Sequence, residues 1–138
     1  MRVHVLRRGA RRVVSGALIR RVAIAAGRAT LPSARFRRAS VVVVLLSSAA
    51  IRMYNRRFHR RDRATDVLCF VDGDHADVLV SVDRVVAQAR EHGMTPAREL
   101  LFVVAHGVLH FAGMRDDTPA RRAAMHRAGH AALEACRV

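Results

Sequence analysis

The sequence predicts an α/β (α+β) fold, a sandwich in which a small mixed β-sheet carries helices packed on it. Three observations lead there. Apolar runs with strand character, at residues 1–6, 39–46, 67–71 and 77–82, alternate with longer stretches of helical period. Gly, Pro and Ser punctuate the junctions, and no internal repeat, low-complexity tract or linker interrupts the series. Size agrees: 138 residues make one domain, 1–138, able to bury a core without disulfides, and a 51% hydrophobic share supplies that core.

Each element has a local reason. Met1 to Leu6 alternates apolar and polar side chains as a half-buried strand does, and Gly9 ends it. From Ala10 to Ala26 the apolar Val13, Val14, Leu18, Val22 and Ile24 recur at helical spacing with Arg opposite, so an amphipathic helix is expected there, with Gly27 as its stop. Pro32 and Ser33 mark a turn. Ala39 to Leu46 is β-branched and apolar on both faces, the pattern of a central strand. Ser47 and Ser48 can cap a helix running to about Phe58. An Arg-dense loop, Arg56 to Asp66, leads into a strand from Val67 to Val71, and a turn at Asp72-Gly-Asp-His leads into another from Asp77 to Val82. Asp83 is expected to cap the next helix, with His92 as a dipole partner in its last turn and Gly93 beyond. Thr95-Pro96 and Thr118-Pro119 each place a capping hydroxyl before a first-turn proline, opening two further helices, the last reaching about Cys136.

Charge constrains the partner. The 25 basic residues are all arginine, against 11 acidic ones, for a net +14 at pH 7, and no acid precedes Asp62. Replacement of Lys by Arg explains the missing lysines but not the scarcity of acids. A field of this sign attracts polyanions, and guanidinium groups bind phosphate bidentately, which ranks nucleic acid first and an anionic membrane surface second. The acid-free N-terminal segment has the composition of an organellar transit peptide, yet its alternation and helical period assign it to the fold. The apolar run Val41 to Leu46 is too short to span a bilayer. Cys69 and Cys136 match no ribbon or oxidoreductase spacing and read as thiols of a reducing compartment, which for this chain means the cytoplasm.

The chemistry concentrates in Glu99 to Asp117. His106 and His110 lie four residues apart in an apolar helix, an advance of about 6 Å and about 40°, so both rings share one face. Gly113 offers the left-handed position that ends a helix, and the returning chain can bring Asp116 to the two rings. Three ligands with an open fourth position describe a catalytic zinc site. His126 and His130 repeat the spacing but lack a third ligand or a terminating glycine, and are assigned to exposed surface. The spacing also resembles extended zincin sites, in which the residue after the first His is a general-base Glu. Here that residue is Gly107, so a peptidase would need a base from elsewhere, and Glu99 and Glu134 are distant in sequence.

The stretch His106-Gly-Val-Leu-His-Phe-Ala-Gly-Met-Arg-Asp116 resembles the His-Gly-x-Leu-His-Leu-x-Gly-Tyr-Asp-His signature of the YbeY endoribonucleases. A second segment, Asn55 to Phe70 with Asp62-Arg-Ala-Thr-Asp66-Val-Leu-Cys-Phe70 at its end, is similar to that family's Leu-Asn-x-x-Tyr-Arg-x-Lys-Asp-Lys-Pro-Thr-Asp-Val-Leu-Ser-Phe. A third, Asp77-Val-Leu-Val-Ser with Gln88-Ala89 downstream, is similar to its Gly-Asp-Ile-x-Ile-Ser strand and following helix. Together they cover about the second two thirds of the chain. The resemblance implies a single-strand-specific endoribonuclease that holds one zinc ion, or another divalent metal, per chain. It further implies a role in small-subunit ribosomal RNA maturation and ribosome quality control, with the small subunit or its assembly factors as partners and no membrane.

Carried over residue by residue, the resemblance makes His106, His110 and Asp116 the metal ligands, with Asp116 where the family has a third histidine. His59 stands where the family has an arginine that lines the site, and Arg57 or Arg60 are neighbours able to replace it. His106, His59 and Arg57 are thus the catalytic candidates, and Arg56, Arg57, Arg60, Arg61 and Arg63 the candidates for holding RNA. The alternative is a metal-stabilised RNA- or ribosome-binding factor with little or no nuclease activity.

Overall fold

The computed structural model describes residues 1–59 and 66–138, and the side chains of residues 58 and 59 lie outside the description. Its elements are β1 (Arg2–Arg8), α1 (Gly16–Thr30), α2 (Ser33–Arg38), β2 (Ser40–Leu46), α3 (Ser48–His59), β3 (Val67–Asp72), β4 (His75–Ser81), α4 (Val82–Glu91), α5 (Pro96–Phe111) and α6 (Pro119–Ala135). The strands form one sheet in the order β1-β2-β4-β3, parallel from β1 through β4, with β3 antiparallel to β4 across a turn at Gly73. This is the mixed sheet that the sequence predicts.

The two faces of the sheet are unequal. Val41, Val43 and Leu45 of β2 align with Val3 and Val5 of β1 and with Ala76, Val78 and Val80 of β4, and this face packs under α1, α4 and α5, with α6 packed against α1 and α5. On the opposite face α3 covers one end, where Ile51 meets Leu46 and Leu79. The rest of that face stays partly open, with Leu6 and Tyr54 both 41% exposed. Strand β2 is therefore buried fully on one side and by halves on the other. Helix α5 lies at the centre of the helical layer, in contact with α1, α4, α6, β3 and β4. No helix among the described residues is long and apolar enough to cross a membrane.

Several boundaries differ from the sequence reading, each for a physical reason. Helix α1 begins at Gly16, six residues late, because the Ser15 hydroxyl accepts from the Leu18 N–H at 3.2 Å and fixes the cap there. It also runs through Gly27 to Thr30. That glycine marks close packing: a Cβ there would stand 2.7 Å from Met1 Sδ. Pro32 and Ser33 open a short helix, α2, in place of a simple turn. The cap of α4 is Ser81, whose hydroxyl accepts from the Arg84 N–H, and strand β4 accordingly spans His75–Ser81. Asp83 sits in the first turn instead, and its carboxylate accepts from the Ser48 N–H at 3.1 Å, at the start of α3.

Candidate metal centre

Helix α5 is held at both ends as the sequence predicts. Thr95 accepts from the Arg98 N–H at 3.1 Å and Pro96 stands in the first turn. At the other end Gly113 adopts φ +98°, its N–H bonds the His110 carbonyl at 3.0 Å, and the Met114 N–H bonds the Leu109 carbonyl at 3.0 Å. The chain thereby reverses and lays its next residues over the last turn of the helix. In the middle, Gly107 lets the helix approach the sheet, since a Cβ at this position would stand 2.5 Å from Val78 Cγ1.

The reversal assembles a compact donor set. His106 Nε2 and His110 Nε2 stand 3.0 Å apart, and Asp116 Oδ2 lies 3.6 Å from each. One ligand atom from each residue falls within 4.8 Å of the other two, the arrangement of a metal-holding group, and it is the one such group among the described residues. The Met114 carbonyl lies 3.2 Å from His110 Nδ1; a carbonyl only accepts, so the proton sits on Nδ1 and the lone pair of Nε2 faces the centre. Burial, then the neighbouring His110, hold the His106 pKa below 6.5, with Asp116 and Asp66 acting in the opposite sense. Both effects keep an imidazole neutral, the form that binds metal.

Other candidate ligands are occupied or inert. Asp117 turns away to Arg121 at 2.8 Å and Arg115 at 2.9 Å. Cys69 lies beneath α5 with its thiol 3.6 Å from the Gly107 carbonyl, and burial, with the charge of Asp77 adding, pushes its pKa up to about 11. A neutral thiol is a poor ligand. His126 and His130 pack against the Phe102 ring, centroids 5.1 and 4.8 Å away, with His126 exposed and His130 only half-buried. The surface assignment thus holds for His126, while His130 is drawn in by Phe102 and by the Arg98 guanidinium 3.4 Å from its Nδ1.

A family model described as Endoribonuclease YbeY matches residues 14–137. The chain belongs to the YbeY endoribonuclease family. Relatives bearing the name Endoribonuclease YbeY include one from Koribacter versatilis, 46% identical over 79 residues that make up 55% of this chain and 52% of the relative. One from Chloroflexus aggregans is 34% identical over 110 residues, 69% of this chain and 72% of the relative. One from Moorella thermoacetica is 37% identical over 111 residues, 69% and 71% respectively. The chain spans about half the length of the first curated relatives it matches. The solution structure of TM1509 from Thermotoga maritima shares this fold, with a TM-score of 0.66 and 26% identity over 98% of this chain and 91% of that one. This YbeY-family chain therefore has the expected α/β architecture around its His/His/Asp group.

The arginine candidates divide. Arg56 and Arg57 are exposed on α3 and line a groove of about 820 Å³ with Arg8, Leu46, Met53 and Tyr54, apart from the three metal-centre residues. Arg60, Arg61 and Arg63, with the side chain of His59, lie outside the described residues. Two residues that sequence reasoning set aside do reach the centre's neighbourhood. Glu99 is two turns above His106 on the same face of α5, and the two line one cavity with Asp66 and Gln88, so its distance in sequence does not remove it. His92 is the C-cap of α4, but its ring partner is Glu99 Oε1 at 3.1 Å, not only the helix end. The one hint of this in the sequence was Gln88, already part of the family resemblance.

Proposed function

We propose that this chain is a zinc-dependent, single-strand-specific endoribonuclease acting in small-subunit ribosomal RNA maturation and ribosome quality control in the cytoplasm. The observation that carries the reading is the convergence of His106 Nε2, His110 Nε2 and Asp116 Oδ2 on one point at the protein surface, in a chain of the YbeY endoribonuclease family. Two imidazoles and one carboxylate suit one zinc ion per chain, with another divalent metal as the alternative. When bound, such an ion supplies Lewis acidity toward a phosphate oxygen.

The chain's own residues supply the rest. Met114 holds the His110 tautomer, and the loop after Gly113 holds Asp116. Side chains of the three ligands keep 25%, 33% and 47% exposure, which leaves the centre approachable by a phosphodiester. A peptidase of zincin type is disfavoured sterically, because a glutamate at position 107 would drive its Cβ into Val78. Arg56, Arg57, Arg60, Arg61 and Arg63 are assigned to the RNA backbone, and Arg57 or His59 to the charge that develops on the phosphate during cleavage. Small-subunit ribosomal RNA, the subunit itself or its assembly factors are the proposed partners.

One feature favours the alternative, a metal-stabilised RNA- or ribosome-binding factor. The Asp116 carboxylate neutralises part of the ion's charge, which a third imidazole would not do. Metal analysis coupled to a chelator-controlled RNA digestion on one preparation decides between them. The nuclease reading expects about one ion per chain, cleavage abolished by chelator, and loss of both metal and cleavage in His106→Ala and His110→Ala. A protein that carries one ion and binds RNA without cutting it is the binding factor, and a wild-type protein that takes up no metal overturns the site.

A further inference from the structure

Behind the metal centre runs a string of polar side chains that folding alone does not explain. The Gln88 amide nitrogen spans two carboxylates, donating to Asp66 Oδ2 at 3.2 Å and to Glu99 Oε1 at 3.1 Å. His92 Nδ1 donates to the same Glu99 oxygen at 3.1 Å. Glu99 is 2% exposed, and its second oxygen, Oε2, is buried with no hydrogen-bond partner. A buried carboxylate with one bare oxygen disfavours the folded state, so its presence calls for a return elsewhere.

The string borders the metal centre through a cavity that His106 also lines. Asp66, Gln88, Glu99 and His92 line one cavity of about 150 Å³ whose remaining wall is Val67, Phe102, Val103 and His106. Asp66 is fixed through its backbone as well, its carbonyl accepting from the Ser81 N–H at 2.9 Å. Of the two ligand histidines, His110 has its outer nitrogen on the Met114 carbonyl. Histidine ligands nearly always have an outer partner that sets ring orientation and ligand basicity. His106 lines the same cavity as Asp66, whose carboxylate ends the string there.

We propose that Asp66 is the outer-shell positioning residue of the metal centre, supporting His106 across this cavity and itself held in place by Gln88 and Glu99. The device has a division of labour. Gln88 uses both amide protons to keep two like-charged carboxylates at a fixed separation. Glu99, anchored on α5 with His106, gives Gln88 its orientation, and Asp66 presents the negative charge that a divalent ion on His106 favours. The inference rests on the metal-centre reading and refines it.

Zinc affinity, measured by competition titration on the full chain, tests this without reference to catalysis. Asp66→Asn and Gln88→Leu should each weaken zinc binding by about 10–100-fold, and the double variant should be no weaker than Asp66→Asn alone, since Gln88 acts through Asp66. Thermal melting of the metal-free protein supplies the readout that separates positioning from scaffolding. Asp66→Asn should melt with wild type, whereas a purely structural strut would lower the transition and leave the affinity of the folded fraction unchanged. If Gln88→Leu does not fold, Asp66→Asn, which keeps an acceptor for Gln88, decides. A wild-type protein that binds one ion and an Asp66→Asn variant that binds it within twofold overturn this inference alone; a wild-type protein that binds none overturns the metal centre with it.

Discussion

Asp116 stands 3.6 Å from both imidazole nitrogens while 47% of its side chain remains in solvent, so the proposed third ligand is the most water-exposed of the three candidates. Its replacement separates charge from coordination. Asp116→Ala should weaken zinc binding by more than the ~10–100-fold that loss of an outer-shell partner costs. Asp116→His should keep one ion per chain, and because a neutral ring offsets less of the ion's charge, the acid limb of the RNA-cleavage profile should move to lower pH. Competition titration and a pH–rate series on the two variants check both. Gly107 makes a different residue-level claim. Adding one methyl in Gly107→Ala places a carbon 2.5 Å from Val78 Cγ1, and overpacking of this kind costs about 1–3 kcal/mol. Denaturant melts should show that loss, with Val78→Ala returning part of it, so that the double variant is more stable than the two single effects add to.

Among the elements, α5 was the most readable from sequence and α2 the least. Thr95, Pro96 and Gly113 are local signals, and local signals fix where α5 begins, ends and turns back. Helix α2 has six residues, no side-chain cap and four consecutive residues of mixed arginine and aromatic character, so nothing in its composition separates it from a loop. The start of α1 lies later than its periodicity predicts because Val13 and Val14 fall in helical phase with the helix, and only the Ser15 cap, a matter of geometry, excludes them. The His106–His110–Asp116 group was legible because its three members lie within eleven residues of sequence. The Asp66–Gln88–Glu99–His92 string was not, since it joins the approach to β3, the end of α4 and the start of α5, and only packing brings them together.

Packing of α5 and α6 also gives the protein a pH dependence. Burial lowers the pKa of His106, first of its causes, and does the same for His130, so the unfolded chain takes up these protons before the folded one. Stability therefore rises with pH between the folded values and the ordinary 6.5, and falls on acidification through that window. Thermal melts of the metal-free protein should show a higher transition at neutral pH than at mildly acidic pH. Substituting His106 by Asn should flatten part of the slope.

Across the whole molecule, the +14 charge and the asymmetric sheet act together. The helical layer covers one face, while the other leaves a groove lined by the apolar Leu46, Ala50 and Met53 together with Arg8, Arg56 and Arg57. General attraction of a polyanion needs only the net charge, but a bound strand needs cations that are placed. The two contributions separate by salt. For single strands the logarithm of affinity falls with the logarithm of salt with a slope near −0.7 per neutralised phosphate, so removing two contacting arginines should reduce the slope by about 1.4. Arg56→Gln with Arg57→Gln should do this in fluorescence anisotropy titrations of a single-stranded RNA oligomer over a salt series. Arg121→Gln lowers the net charge by one on α6, outside the lining of this groove, and should leave the slope nearly unchanged. Equal slope per charge removed at both places would mean that the field of the whole molecule, and not the α3 groove, holds the RNA.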